Sequence, residues 1–213
     1  MADLHIGDNM CDFKAIMERI EYIRTTPNAY CILGGDLMDT AIASSIGDTY
    51  GANLQPMEQL KQCVKIFEPI KDKILAVLPG NHENRVFQND GLDTMRLVCR
   101  ELGVEDKYAP EGVLIFLRFG KRNGHAHHAA RHPRQWYSIY AMHGSGGGGR
   151  KEGGKATRLA DMNSIVDADI FIHSHVHLGM IMKERYYRID NSNCVAKPVD
   201  KLFVCTGASL KYG

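Results

Sequence analysis

AYCILGGD, residues 29–36, sets the reading of the chain. An apolar run of strand length ends in two glycines and an acid, which is how a buried strand hands its carboxyl end to a loop. ILAVLPGNHE, residues 74–83, repeats the pattern: an apolar run, a Pro-Gly turn, then Asn81, His82 and Glu83. Upstream, Phe13, Ile16, Met17, Ile20 and Ile23 recur at helical spacing until Pro27 stops them. Between the two runs, residues 56–73 carry a second amphipathic stripe, with Pro56 in the first turn and Met57, Leu60, Val64 and Phe67 on one face. A further helix is expected around residues 93–102. Alternating helix and strand predicts an α/β protein with crossover helices and its chemistry in the loops after the strands.

After Gly112 the pattern changes. Residues 113–119 (VLIFLRF) and 135–144 (QWYSIYAMHG) read as strands joined by the histidine-rich loop 120–134. A helix near residues 157–166 leads to a strand in DIFIHSHVHLG, residues 169–179. Hairpin-like stretches follow at 180–190 and 201–210. Neither a repeat nor a linker divides the chain, so one domain over residues 1–213 is expected. With 44% hydrophobic residues and a net charge of +1, the composition suits a globular core and argues against disorder. No apolar run reaches the length of a membrane span, and Asp3, Asp8 and Asp12 break up any signal peptide. The six cysteines lack paired short spacings and read as reduced thiols, so a cytoplasmic protein is expected, and the compact size suits a bacterial or phage-like origin.

The polar clusters follow the apolar runs in order: Asp3 and His5; Asp36 and Asp39; Asn81, His82 and Glu83; His143; His175 and His177. Carboxylates, imidazoles and an amide oxygen suit divalent metals such as Mn²⁺, Fe²⁺ and Zn²⁺. Asp3-x-His5, Gly35-Asp36-x-x-Asp39, Gly80-Asn81-His82-Glu83, His143-Gly144 and His175-x-His177 together resemble the five ordered motifs of the calcineurin-like metallophosphoesterases. The resemblance implies a two-sheet sandwich flanked by helices, with two divalent metal ions at the strand ends, Mn²⁺ first among the candidates. It assigns Asp3, His5 and His177 to one ion, Asn81, His143 and His175 to the other, and Asp36 to both. Two cations about 3.5–4 Å apart need such a shared anion, and a hydroxide bridging them would attack phosphorus. His82 would then protonate the departing oxygen as general acid, oriented by Asp39.

The last motif departs from the family's Gly-His-x-His, because Ser174 replaces the glycine and His173 adds a third histidine. All three histidines share strand parity, so alternation alone also admits His173 and His175 as the ligands. The end of the apolar run before His173 and the turn at Gly179 favour His175 and His177, leaving His173 a supporting residue. Thr40-Ala41 follows Asp39 where the protein phosphatases of this superfamily carry Arg-Gly. Glu83 stands where the nucleases of double-strand-break repair tend to have Asp. A compact nuclease or phosphodiesterase is therefore expected. The alternatives are a phosphomonoesterase on a nucleotide or other small molecule, and a scaffold that has lost catalysis. Retention of Asp36 and His82 favours an enzyme over the scaffold.

Residues 112–151 contain no acid but hold Arg118, Lys121, Arg122, Arg131, Arg134, Arg150 and Lys151, a basic stretch suited to nucleic acid or to a solvated hairpin tip. Trp136 and Tyr137 there fit either base stacking or a sheet face. His125, His127, His128 and His132 lack carboxylate partners and read as surface histidines. GRKEGGKA, residues 149–156, approaches a phosphate-cradling loop but has Ala156 where a hydroxyl is needed. Arg150, Lys151 or Lys155 could instead reach a bound phosphate, and the same loop fits a solvated connection without a role. In the implied fold Asp3-x-His5 closes a central strand, yet only Met1 and Ala2 precede it. The first strand is thus expected to be truncated, with roughly five residues lying upstream in the natural protein.

Overall fold

The two apolar runs lie side by side. A computed structural model describes residues 1–41, 53–119, 135–144 and 152–211. Cys31–Leu33 (β1) and Ile74–Val77 (β2) pair in parallel, Leu33 opposite Val77. Residues 1–6 run along the other side of β1 and the loop beyond it. The Met1 ammonium donates to the Ile32 carbonyl at 2.7 Å, and the Leu4 and Ile6 N–H groups donate to Asp36 and Leu37 at 2.8 and 2.9 Å. Leu4 and Ile6 are buried, and the alternate residues Asp3 and His5 are thereby brought beside Asp36.

Helices cover this sheet. Phe13–Thr25 (α1) starts at Asp12, whose carboxylate accepts the Ala15 N–H. Pro56–Phe67 (α2) is shorter than the sequence pattern suggests. Pro69 has no N–H to extend the ladder, and Glu68–Lys73 tightens into a 3₁₀ turn. Asn81–Asp90 (α3) is a helix that the apolar periodicity does not announce. Thr94–Leu102 (α4) ends at Gly103 in the left-handed region. Ile16, Ile20 and Ile23 of α1, Phe67 of α2 and Val98 and Leu102 of α4 join Leu33 and Val77 in one core.

The second sheet has five strands. Val113–Phe119 (β3), Gln135–Met142 (β4), Ile170–His173 (β5), Met180–Asp190 (β6) and Val195–Cys205 (β7) lie in the order β3-β4-β5-β7-β6. The inner three run parallel and the outer two antiparallel. β7 begins six residues earlier than the hairpin reading at 201. Glu152–Asp161 (α5), set earlier in the chain than the helix expected near 157–166, crosses from β4 to β5. Leu159 and Met162 pack on the stacked rings of Phe171 and Phe203, whose centroids are 4.9 Å apart.

The opposite face of that sheet, with Ile139, Ala141, Ile172 and Val204, turns toward Ile32, Leu75 and Leu78 across a cavity of about 990 Å³. Two sheets with helices outside them agree with the expected architecture. Both sheets direct their carboxyl ends to one edge, where the polar clusters gather. Among the described residues, no helix is long and apolar enough to cross a membrane. Arg150, Lys151 and the histidine cluster 125–132 lie outside the described residues.

Candidate metal centre

Asp3, His5, Asp36 and His177 each bring one ligand atom to within 4.8 Å of the others, and so do Asp36, His143 and His175. Asp36 belongs to both groups. Asn81 joins the second group: its Oδ1 lies 2.7 Å from His175 Nδ1 and 3.1 Å from His143 Nε2. The residues come from five separate stretches of chain: Asp3 and His5 lie in the strand-like segment at the N-terminus, and the others follow strands.

The backbone is bent to achieve this. Asp3, His5, Asp36, His175 and His177 have φ of 51°, 48°, 49°, 70° and 55°. In this left-handed region the Cβ of an L-residue crowds the carbonyl, at a cost of roughly 1–2 kcal/mol per residue. Such strain persists only where the surroundings enforce it, and here it turns successive side chains toward one point. Asp3, His5, Asp36 and His143 are buried, while His175 and His177 are partly open, so the centre opens on their side.

The donor set fits a pair of cations. His143 Nδ1–H donates to the Gly34 carbonyl at 2.7 Å, which leaves Nε2 facing Asn81 and Asp36, free to serve as the ligand atom once it loses its proton. His5 and His177 face each other through Nε2 at 3.1 Å, two nitrogens converging as they would on one ion. Burial, and the nearby Asp36 charge, push the Asp3 carboxyl up to about 6. Burial also acts on Asp36, but the hydrogen bond and charge of His143 outweigh it and bring that carboxyl down to about 2. The same contact overcomes the burial of His143 and lifts its imidazole to about 9. Burial and the neighbouring His5 lower His177 to about 4, favouring the neutral ring that a ligand requires.

Beside this centre stands a second arrangement. His82 Nδ1 lies 2.7 Å from the Asp39 carbonyl, to which it donates, and 3.2 Å from the Asp39 carboxylate. Burial lowers the His82 pKa, but Asp39 and the charge of Asp36 outweigh it, and the ring holds its proton more firmly than a free histidine. Hydrogen bonds from His5 and His82 depress the Asp39 carboxyl. The His82 ring sits edge-on to His5, 4.4 Å between centroids, with Nδ1 committed to Asp39.

Three further side chains build the loops, and the motif reading gave them no such part. Glu83, buried, accepts N–H groups from Asp36 at 3.0 Å, Met38 at 2.9 Å and Gly80 at 2.8 Å. It fastens the start of α3 to the loop that carries Asp36 and Asp39. A Cβ on Gly80 would collide with the Asp36 carboxylate, so only glycine fits there. Thr40 donates its hydroxyl to the His82 carbonyl at 2.6 Å, and its own N–H goes to Gln59 at 2.8 Å. An acid three residues into a helix after a Pro-Gly turn is the sequence signal that could have revealed Glu83. Glu83→Ala would strand three buried donors. It is expected to lower unfolding free energy by about 3 kcal/mol or more in a urea titration.

His173 belongs to neither ligand group. It ends β5, buried, with its ring pressed against Gly144, where φ is 97° and a Cβ would strike the imidazole. Lys155 donates from Nζ to the Val176 carbonyl at 3.2 Å, between His175 and His177.

The family model described as calcineurin-like phosphoesterase matches residues 1–179 of the chain. No curated protein matches it.

Proposed function

Because the chain belongs to the calcineurin-like phosphoesterase family, whose members are metal-dependent hydrolases that bind two metal ions, we propose that it cleaves a phosphodiester, as a nuclease or phosphodiesterase does. The active unit is a single domain over residues 1–213. Asp3, His5 and His177 hold one ion, Asn81, His143 and His175 the other, and Asp36 both. Mn²⁺ suits this mixture of carboxylate, amide and imidazole donors, with Fe²⁺ and Zn²⁺ next. When bound, the ions supply positive charge to the phosphoryl oxygens and lower the pKa of water that serves as nucleophile.

The protein's own part is to orient and to move a proton. Asp3 and Asp36 fix the ligand rings, directly or through the His175 N–H, which Asp3 accepts at 3.1 Å. His82 donates its Nε2 proton to the departing alkoxide while Asp39 stabilises the imidazolium. The observation that carries this reading is the His82–Asp39 contact beside the ligand set: a histidine that holds its proton more firmly than a free one, next to the candidate ligands yet turned toward Asp39. Thr40, tied to His82, occupies the position after Asp39 and carries no charge to clamp a phosphoprotein. The acid-free stretch 112–151, in which Arg118 lies 5.3 Å over the exposed Trp136 ring, adds positive charge that suits a phosphodiester substrate.

The test is hydrolysis of bis(p-nitrophenyl) phosphate and of p-nitrophenyl phosphate with and without Mn²⁺, with bound metal measured on the same sample. A metal-dependent rate that is higher on the diester is expected. A higher rate on the monoester would make the protein a phosphomonoesterase. Neither metal nor turnover would make it a scaffold.

A further inference from the structure

A second pocket adjoins the centre on the side of Asn81, His143 and His175, with a volume of about 450 Å³. This lies within the range of small-ligand sites. Its composition differs from that of the metal centre. Asn81, Asn84 and Gln88 are spaced i, i+3 and i+7 on α3, so one face of the helix carries a proposed ligand and then two more amides along the wall. Pro79, Pro110 and Met142 supply apolar surface, and Glu111 adds a carboxylate. Apart from the histidines of the metal centre, Glu111 is the single charged side chain among the described lining residues.

A substrate whose phosphate sits on the metal side would extend its organic part into this pocket. Neutral amides present a donor and an acceptor side by side, the pairing that recognises an adenine edge. Proline rings and a thioether offer faces for a planar ring. A carboxylate at the rim repels further phosphates and accepts hydrogen bonds from hydroxyls. We infer that this pocket binds a single nucleoside, and that the substrate is a mononucleotide phosphodiester and not a long polyanionic chain. The inference deepens the proposed phosphodiesterase reading and rests on it for the position of the phosphate.

Asn84 is half-buried and Gln88 exposed on the helix, so alanine at both positions keeps helix propensity and spares the core. Adenosine, which has no phosphate, is titrated into chelator-treated protein and followed by ligand-observed NMR. Wild type is expected to bind it, and Asn84→Ala with Gln88→Ala to weaken binding roughly tenfold, the loss of about two modest hydrogen bonds. With Mn²⁺ present, the same double variant raises KM for the p-nitrophenyl ester of adenosine 5′-monophosphate by a similar factor. Its kinetics on bis(p-nitrophenyl) phosphate, which has no nucleoside, stay unchanged. Glu111→Gln raises kcat/KM for a short oligonucleotide. Failure of wild type to bind adenosine, or equal binding by the double variant, overturns the nucleoside pocket. Adenosine binding without hydrolysis of any ester leaves the pocket standing and overturns the phosphodiesterase reading instead.

Discussion

Replacing His82 with alanine lowers kcat on an alkyl phosphodiester by roughly 10²–10⁴-fold, the usual contribution of a positioned general acid. His5, Asp39 and His82 also bring ligand atoms within 4.8 Å of one another, but the proposed ions use neither Asp39 nor His82, and the His82 side chain is partly exposed, so metal content and melting temperature are expected to change little. The size of the loss depends on the leaving group. An alkoxide needs the proton that His82 Nε2 carries, whereas p-nitrophenolate leaves without it, so the nitrophenyl ester loses far less. Asp39→Asn follows the same pattern more weakly, since it removes a charge that raises the His82 pKa but leaves the Asp39 carbonyl as a partner. Rates on both esters from wild type and the two variants decide the matter. An equal fall on both esters, or none, would remove His82 from the chemistry.

Asp36→Ala is expected to abolish activity on every ester, because it takes one ligand from each metal group at once. It also removes the acceptor of the His82 N–H at 2.8 Å and leaves the protonated His143 without its partner. The wild type carries a companion signature in pH. In chelator-treated protein the raised pKa of His143, about 9, means that the folded state holds a proton there that the unfolded chain releases near 6.5. That stabilisation is complete below about 6.5 and is lost as pH rises through 9. The raised pKa of Asp3, about 6, adds a burial penalty once that carboxylate ionises, so both groups make the metal-free fold weaker as pH rises. Mn²⁺ displaces the proton from His143, and its affinity is therefore expected to climb roughly tenfold per pH unit between 6 and 9. Calorimetric titrations at several pH values, read against thermal melts with and without Mn²⁺, measure both trends. A pH-independent affinity would mean that His143 meets the ion without losing a proton. Two ions still bound in Asp36→Ala would end its role as the shared ligand.

Much of this architecture was legible because apolar runs and polar clusters alternate along the chain. The runs at 31–33 and 74–77 are continuous, short and largely buried, and each is followed by a polar cluster. Helix α3 was not legible by the same signal. Its ten residues include just two large apolar side chains, Val86 and the exposed Phe87, so no stripe forms, and its evidence is the cap at Gly80 and Glu83. The choice among His173, His175 and His177 could not be made from parity, since all three share it. In the structure β5 stops at His173 and the next two histidines take left-handed backbone, a change of direction that hydrophobic alternation does not encode. Residues 1–6 illustrate a further limit. Their backbone partners lie some thirty residues downstream, so the segment's conformation is set by tertiary pairing and not by its own composition.

The left-handed backbone at Asp3, His5, Asp36, His175 and His177 reverses the usual order of tolerance at a functional site. In a helix or strand, glycine is the more damaging replacement; at these five positions it relieves crowding that alanine retains. A mutation such as His177→Gly removes a proposed ligand while making the fold easier to maintain. Selection for catalysis is then what holds the imidazoles of His5, His175 and His177 against that gain, whereas Asp3 and Asp36 also accept backbone N–H groups that glycine would leave unpaired. A lineage released from that selection has an open route toward glycine, and the metal centre would be erased before the two-sheet frame that carries it.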